Sequence, residues 1–381
     1  MLLTVTSREK DAGREDLTRR LEQYLVECAA ASFPELSGAV RVALRRRELR
    51  AFTTLYEFAL TAGATERRVL VKIPGNSARK DGQPGETAVA RRPRRFPPVD
   101  PASRVRQECL VLNEMHRYFG SLGDPRFAAV RPVGHLDDVG AFLMELCPEP
   151  SLSRLMLAAR VPGARAARLR RACRNAGAWL RAWHEHPGLA HTVTRNTTRD
   201  EFVGGICELT RYVAGIDGRA GWMDEVCERV AASALRTLPP ELPSGAFHGD
   251  FAPRNVLAGV DGRVTVIDTA ARWRTPIYAD LAYFLFSVDA ARPQVYTGGL
   301  MFGQSAVDAW RAEFLRGYFE DDPVPVGAIA LFEVDALLDR WAAEAARVAA
   351  AGANKGGNRW RFRAWDRFLR ARLRDRLREL S

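Results

Sequence analysis

Apolar residues in the first part of the chain change from helical to strand-like spacing. Residues 14–31 carry apolar side chains three or four positions apart, which predicts an amphipathic helix. Short apolar runs at 40–44, 55–61 and 68–73 predict three strands, and a Pro-Gly pair follows the third. The order of these runs favours an antiparallel sheet.

A polar segment rich in Gly, Pro and Arg follows at 75–103 and predicts a long, mobile insertion. Helical spacing returns over 104–119, and two further strand-like runs occupy 130–136 and 140–146. Strands, one helix and then more strands are typical of a small α+β domain. The first part of the chain is therefore predicted to form such a domain.

The rest of the chain is mostly helical in its hydrophobic spacing. Helices are predicted over 164–186, 198–214 and 222–238, and from residue 279 nearly to the end. The exception is 247–268, where the pattern predicts a strand, a loop, and two strands joined by a hairpin with an Asp-Gly turn. This short β segment therefore stands out within a helical region.

Length and composition narrow the class of protein. A chain of 381 residues is long for one hydrophobic core, so we expect a small lobe over 1–146 and a large lobe over 147–381. Hydrophobic residues make up 47% and charged residues 27%, as in ordinary folded proteins. The six cysteines lack disulfide or zinc spacing, and neither a signal peptide nor a membrane span is evident. We therefore expect a cytoplasmic protein.

The net charge of +11 comes almost entirely from arginine. The arginines are scattered along the chain instead of forming one aromatic-rich module, so a solvated surface is expected and a nucleic-acid partner is not. The chain has only four lysines, at positions 10, 72, 80 and 355. Lys72 lies within an apolar strand, where a generic surface charge would more often be arginine, and this favours a specific role for its ammonium group.

The β segment contains a set of polar residues suited to phosphoryl transfer. Its sequence is HGDFAPRN over 248–255, followed by a hairpin and an apolar strand that ends in Asp268. Phosphoryl transfer needs a carboxylate that orients the acceptor hydroxyl, for which Asp250 is the candidate. It also needs oxygen ligands for Mg²⁺, and the hairpin is expected to return Asp268 alongside Asn255. The pattern predicts a catalytic centre here.

This segment resembles the catalytic loop and metal-binding strand of the aminoglycoside phosphotransferase and choline kinase-like family, which is related to the protein kinases. The resemblance implies a two-lobed, protein kinase-like α+β fold and a small-molecule kinase that uses Mg²⁺ and ATP or GTP. It implies that Asp250 is the base, that Asn255 and Asp268 bind the metal, and that His248 and Asp280 support the loop. A helix N-cap is the alternative, compatible role for Asp280.

The resemblance also assigns nucleotide-binding residues in the small lobe. Lys72 would pair with the α- and β-phosphates, as in the V-A-I-K strand of kinases. A glutamate from the next helix would hold this lysine: Glu108 fits best, with Glu114 as the competitor. The other small-lobe candidates for nucleotide contacts are Thr53 and Thr54 in a glycine-free phosphate turn, and the backbone from Glu145 to Cys147 at the adenine edge.

The C-terminal residues 359–378 combine nine arginines with an apolar stripe of Trp365, Leu369, Leu373 and Leu377. Their four-residue spacing predicts an amphipathic helix. Docking of this helix on the large lobe is favoured, and peripheral contact with an anionic membrane is the alternative.

Two other functions compete with a small-molecule kinase. A protein kinase is disfavoured because Gly249 replaces the arginine of H-R-D and Asp268-Thr269-Ala270 replaces D-F-G. A non-catalytic nucleotide-binding module is disfavoured because Asp250 and the other candidate residues are all present. The acceptor is expected to be a small molecule with a hydroxyl group, such as an aminoglycoside, a sugar or an amino alcohol.

Overall fold

A computed structural model describes residues 7–50, 53–74, 93, 101–158, 163–187, 193–195, 198–217, 220–269, 273–351 and 356–380. The strands are β1 (Arg41–Leu49), β2 (Thr53–Ala62), β3 (Thr65–Pro74), β4 (Phe127–Ala129), β5 (Pro132–Leu136), β6 (Ala141–Glu145), β7 (Val193–Thr194), β8 (Ser244–Ala246), β9 (Val256–Ala258), β10 (Val264–Val266) and β11 (Trp273–Pro276). The helices are α1 (Ser7–Ser32), α2 (Pro101–Leu122), α3 (Leu152–Ala158), α4 (Ala164–Glu185), α5 (Arg199–Asp217), α6 (Met223–Thr237), α7 (Tyr278–Asp289), α8 (Arg292–Tyr296), α9 (Gln304–Phe319), α10 (Val326–Ala351) and α11 (Gly356–Glu379).

These elements fall into two compact units. The first is drawn from Met1–Gly82, Val99–Gly123 and Ala129–Pro148, and the second includes Asp124–Ala128 and Glu149–Ser381. None of the helices within the described ranges is both long and apolar enough to cross a membrane.

The first unit is built on a five-stranded antiparallel sheet in the order β1-β2-β3-β6-β5. Side chains of β3 alternate between its two faces, as the period of a strand requires. Val69 and Val71 are buried in a cluster with Leu21 and Leu25 of α1. Lys72 therefore belongs to the opposite face of β3, away from this apolar cluster.

The helices and strands predicted for this unit are confirmed, with boundaries that differ by a few residues. The largest difference lies at α1, which begins at Ser7, seven residues before its predicted start at residue 14. Helix α2 begins at Pro101, so the last residues assigned to the insertion at 75–103 are helical. The remainder of that predicted insertion, apart from Pro93, lies outside the described residues. The proline at position 101 suits this start, because it can occupy the first turn of a helix without losing a hydrogen bond.

The second unit is mostly helical and contains two small sheets, in the orders β4-β10-β9 and β7-β11-β8. Its helix α10 supplies many residues of the main hydrophobic cluster, among them Leu331, Leu338 and Trp341. A helix buried on this scale gains its stability chiefly from tertiary packing, at about 25 cal/mol for each Å² of apolar surface removed from water. The predicted helices over 164–186, 198–214 and 222–238 are confirmed as α4, α5 and α6.

Helices α4 and α9 cross closely because each has a glycine at the contact. A Cβ atom on Gly177 would lie 2.0 Å from the carbonyl oxygen of Phe314, and one on Gly317 would lie 1.8 Å from that of Arg174. Any larger residue would therefore push the helices apart. The close crossing brings aromatic side chains together, and Phe251 contacts both Trp179 of α4 and Phe314 of α9.

The C-terminal helix α11 packs into the core of the second unit. Trp365, Leu369, Leu373 and Leu377 are all at least nine-tenths buried and belong to the main hydrophobic cluster. The apolar stripe is thus covered by protein, which favours the docking interpretation. A membrane contact through this stripe would require α11 to leave that core.

The β segment differs in detail from its prediction. The predicted strand beginning at Phe247 is wrong: β8 ends at Ala246, although the Phe247 amide still donates to the Trp273 carbonyl at 3.0 Å. The hairpin of β9 and β10 is confirmed, with Val266 opposite Val256. Strands β4, β7 and β11 were not predicted, because runs this short show no periodicity.

Candidate active site

The loop over residues 247–255 connects β8 to β9 and is held by a carboxylate from α7. Asp280, which is 1% exposed, accepts hydrogen bonds from the backbone amides of His248 at 2.6 Å and Gly249 at 2.9 Å. Gly249 has φ +83°, a left-handed conformation that L side chains rarely adopt. The glycine thus allows two successive amides to point at one carboxylate, and Asp280 braces the loop.

Sequence analysis missed two residues next to Asp280: one contacts its carboxylate, and the other contacts the first. His184 Nε2 lies 3.4 Å from Asp280 Oδ2, and His184 Nδ1 lies 2.8 Å from the Tyr318 hydroxyl. Both side chains are buried. One feature of the sequence could have indicated His184: it lies four residues after Leu180, on the apolar side of the helix predicted over 164–186.

Loss of the Asp280 carboxylate should destabilise the loop strongly. Asp280→Asn replaces one of two accepting oxygens with an NH₂ group, so a buried backbone amide faces another donor. We expect a loss of about 2–3 kcal/mol in unfolding free energy, measured by urea denaturation. The control is Asp308→Asn on the exposed face of α9. Equal denaturation midpoints for the two variants would contradict the bracing role.

His248 is completely buried beneath the loop, among aromatic rings. Its Nδ1 accepts a hydrogen bond from the Asp250 amide at 3.3 Å, and its ring packs edge-on against Phe251 and Trp179. Burial lowers the pKa of His248 below its usual value, although Asp280 and other nearby carboxylates act in the opposite direction. A neutral imidazole in a fixed orientation supports the loop without adding charge.

The side chain of Asp250 is fixed by contacts to both of its carboxylate oxygens. Asn255 Nδ2 donates to Asp250 Oδ2 at 2.8 Å and to the Asp250 carbonyl at 2.9 Å. On the other side, the Arg254 guanidinium donates to Asp250 Oδ1 and, at 3.2 Å, to the Tyr283 hydroxyl. Asp250 remains about one-third exposed. A carboxylate so positioned can orient a hydroxyl group and accept its proton.

Sequence analysis predicted no role for Arg254 or Tyr283. The contact between Arg254 and Tyr283 joins the motif to a residue outside it, since Tyr283 lies one turn beyond Asp280 on α7. Burial raises the pKa of Tyr283, and the Asp250 carboxylate raises it further, so the phenol stays neutral. The arginine and the tyrosine therefore form one polar side of the site.

The β9–β10 hairpin places Asp268 beside the 247–255 loop. The Ile267 amide donates to the Asn255 carbonyl at 3.0 Å, which continues the hairpin past Val266. Asp268 follows with φ +59°, a left-handed conformation that is uncommon outside glycine. Strained backbone of this kind clusters at functional sites. The structure thus brings together the predicted Asp250, Asn255 and Asp268.

In the first unit, Lys72 and Glu108 form an ion pair. Lys72 Nζ lies 3.1 Å from Glu108 Oε2, and their side chains are only 12% and 11% exposed. The competing Glu114 pairs with Arg117 instead. A pair removed from water to this extent holds its geometry, because separating it would draw each charge away from its counter-charge where water hardly reaches.

Of the remaining predicted residues, Thr53, Thr54 and Glu145 lie on strands of the same sheet, and Cys147 follows two residues after β6. Thr53 and Thr54 begin β2, and the Thr53 carbonyl accepts from the Arg50 amide at 2.8 Å. Glu145 ends β6, and its amide donates to the Arg131 carbonyl at 2.9 Å. That donor is therefore used within the protein, as is the Leu146 amide, which donates to the Arg68 carbonyl at 2.8 Å. An adenine contact of this segment would fall to other backbone groups between Glu145 and Cys147.

The family follows from comparison with known sequences. A sequence model of the phosphotransferase enzyme family matches residues 59–329, which is well over half of the chain. The chain belongs to this family. The match includes the Lys72–Glu108 pair and the whole 247–255 loop, and it ends before α11. No curated protein sequence matches this phosphotransferase family member.

Solved structures share the fold of this family member. An ethanolamine kinase from Plasmodium vivax aligns with a TM-score of 0.55 at 10% identity, covering 96% of this chain and 90% of that chain. A Ralstonia eutropha protein described as an aminoglycoside phosphotransferase aligns with a TM-score of 0.54 at 11% identity, covering 93% and 98%. The predicted two-lobed, protein kinase-like α+β fold is confirmed.

Proposed function

We propose that this protein transfers the γ-phosphoryl group of ATP or GTP to a hydroxyl group of a small molecule, with Asp250 as the catalytic base. The observation that carries the proposal is the placement of Asp250, whose carboxylate oxygens are held by Asn255 and Arg254 in a loop braced by Asp280. Membership of the phosphotransferase enzyme family supports the same reaction class.

The proposed reaction is an in-line displacement. The acceptor hydroxyl donates a hydrogen bond to the Asp250 carboxylate, its oxygen attacks the γ-phosphorus, and the proton passes to Asp250. The bond between the γ-phosphorus and the bridging oxygen breaks, and the nucleoside diphosphate leaves with that oxygen. Because the protein takes part in no covalent intermediate, positioning and charge supply most of the rate.

The metal-binding residues would be Asn255 and Asp268. Both supply hard oxygen donors of the kind that Mg²⁺ prefers. Asn255 uses Nδ2 to hold Asp250, and this orientation turns its Oδ1 away from that carboxylate. Across the described part of the chain, no group of three or more His, Cys, Asp and Glu residues is arranged to hold a metal. Bound by these two residues, Mg²⁺ would complete its ligands with phosphate oxygens and would offset the negative charge of the triphosphate.

Nucleotide contacts are proposed for residues of the first unit. Lys72, held by Glu108, would bind the α- and β-phosphates, and the threonines at positions 53 and 54 would offer amide and hydroxyl donors. The backbone between Glu145 and Cys147 would meet the adenine edge. We also propose a cytoplasmic location, where nucleoside triphosphates are available and thiols stay reduced; the six cysteines are present as thiols.

Asp268→Asn should weaken magnesium-dependent nucleotide binding by about tenfold or more, because a charged oxygen ligand is lost. Asparagine tolerates the left-handed backbone at this position, so the fold should persist. The measurement is calorimetric titration with Mg-ATP and Mg-GTP. The matched control is Asp261→Asn at the exposed turn between β9 and β10. Unchanged binding in the Asp268 variant would rule out its proposed role.

A transfer assay tests the function itself. Nucleoside diphosphate formation is measured with sugars, aminoglycosides, amino alcohols, nucleosides and, separately, peptide libraries. The proposal expects at least one small hydroxyl compound to stimulate formation in the presence of Mg²⁺. Stimulation by peptides alone would instead indicate a protein kinase.

A further inference from the structure

The second unit contains a cavity of about 640 Å³, in the range of small-molecule sites. Its wall combines the 247–255 loop with parts of α3, α7, α8, α10 and α11. The lining residues that matter for recognition are Arg254, Tyr283, Phe286, Phe302, Arg340 and Trp365. The walls are thus largely aromatic and aliphatic, with two guanidinium groups.

One end of the cavity adjoins the proposed catalytic base. Arg254 lines the wall and also donates to Asp250 Oδ1 and to the Tyr283 hydroxyl. A molecule seated in the cavity therefore has the Asp250–Arg254 pair at its boundary. This placement makes the cavity the candidate acceptor pocket.

The described residues that line the cavity include two arginines and no carboxylate. The charge of Arg254 is matched by Asp250. Arg340 is paired with Glu344 at 2.7 Å, but the same carboxylate also pairs with Arg347 at 2.7 Å and Arg361 at 3.2 Å. One buried carboxylate thus serves three guanidinium groups, and positive charge is in excess at this end of the pocket.

Arg340 is held in place by an aromatic ring as well as by its carboxylate. Its guanidinium lies over Trp365 of α11, 4.2 Å from the ring centroid. Burial lowers the pKa of Arg340, and Arg347 and Arg361 contribute in the same direction, while Glu344 opposes it. An anion bound near the Arg340 guanidinium would reduce the electrostatic repulsion among Arg340, Arg347 and Arg361.

We propose that the acceptor carries an oxyanion, a carboxylate or a phosphate monoester, on an apolar or ring-shaped body. This inference rests on the proposed function. The oxyanion binds at Arg340, the body packs among Phe286 and Phe302, and the hydroxyl group is directed to Asp250. A polycationic acceptor is disfavoured, because it would meet uncompensated positive charge at the Arg340 end.

The residues at the Arg340 end of the pocket lie outside the part of the chain that the family model matches. The family match ends at residue 329, whereas Arg340 lies on α10 and Trp365 lies on α11. The C-terminal helix therefore contributes to acceptor selection as well as to the core. Selectivity for an anion is accordingly a property of this chain's own C-terminal helices.

A charge series on the wild-type protein tests the inference without any mutation. Binding of benzoate, phenyl phosphate, benzamide and benzylammonium is measured by calorimetry at equal ionic strength. At least one of the two anions should bind about tenfold more tightly than benzamide, since a charge-assisted hydrogen bond replaces a neutral one. The preferred anion identifies a carboxylate or a phosphate pocket. Tighter binding of benzylammonium, or no anion binding at millimolar concentration, overturns the inference.

Two variants locate the anion within the pocket. Arg340→Gln should weaken binding of the preferred anion about tenfold and leave benzamide unchanged, and Arg340→Lys should retain part of the preference. Arg347→Gln is the control, because Arg347 shares Glu344 but is more than half exposed. Equal anion binding by Arg340→Gln and Arg347→Gln overturns the assignment. If wild-type protein binds Mg-nucleotide but none of the anions, only this inference fails; absence of nucleotide binding would instead remove the proposed function.

Discussion

Asp250→Asn is expected to lower phosphoryl transfer by about 10³-fold, the contribution typical of a general base that also orients its substrate. Asparagine is close to aspartate in shape, but its single amide oxygen can accept from only one of Asn255 and Arg254. Because the side chain at position 250 is about one-third exposed, water can partner the other donor, and the loop that Asp280 holds should keep its conformation. Nucleotide binding should therefore stay within a few-fold of wild type. The effect should appear in kcat, measured at saturating nucleotide with the most active acceptor found in the transfer assay.

The control for this variant is Asp321→Asn, a charge change of the same kind at an exposed turn. Its transfer rate should match that of wild type. A rate for Asp250→Asn within threefold of the control would show that another group, or the substrate itself, takes up the proton. Loss of nucleotide binding in the variant would instead point to damage of the loop.

Arg311→Met should lower the unfolding free energy by about 3–5 kcal/mol, which is the largest stability change expected in the second unit. Arg311 of α9 makes a bidentate pair with Glu333 of α10 at 2.8 and 2.9 Å and contacts Asp289 of α7 at 3.0 Å. Arg376 of α11 contacts both acids as well, at 3.3 and 3.4 Å. The cluster thus links four helices.

Removing Arg311 leaves two buried carboxylates with one guanidinium between them. Burial already raises the pKa of Asp289 while Arg311 acts against that rise, so the variant should force a proton onto the pair or release α11. Thermal unfolding and limited proteolysis of α11 measure the effect. Arg316→Met, on the same helix but with a mostly exposed side chain, should change stability by under about 0.5 kcal/mol. Equal unfolding temperatures for the two variants would show that the cluster of Arg311, Glu333, Asp289 and Arg376 does not stabilise the fold.

The parts of the site that sequence analysis predicted depend on local spacing. Asp250 and Asn255 lie five residues apart in one loop, and a two-strand hairpin returns Asp268 to the same end. Lys72 stands out by composition, as a lysine within an apolar strand of an arginine-rich chain. The helix that follows the Lys72 strand offered two candidate glutamates, Glu108 and Glu114. Glu108 was the better candidate, and it is the one that pairs with Lys72 at 3.1 Å.

The parts that could not be predicted depend on contacts between distant segments. His184 meets Asp280 across 96 positions, and Arg340 meets Trp365 only because α10 and α11 pack together. Hydrophobic spacing predicts that these helices exist but not which residues of neighbouring helices touch. The proposed acceptor pocket combines the 247–255 loop with parts of five separate helices, and only the loop belongs to a recognisable motif.

Calorimetric titration of wild-type protein with ATP and with GTP, each with and without Mg²⁺, tests the central claim most directly. Saturable binding of at least one triphosphate that requires the metal is predicted, since Asn255 and Asp268 would supply the protein's oxygen ligands. If neither nucleotide binds, or if binding is the same after the metal is chelated, the grouping of these residues around Asp250 does not serve phosphoryl transfer.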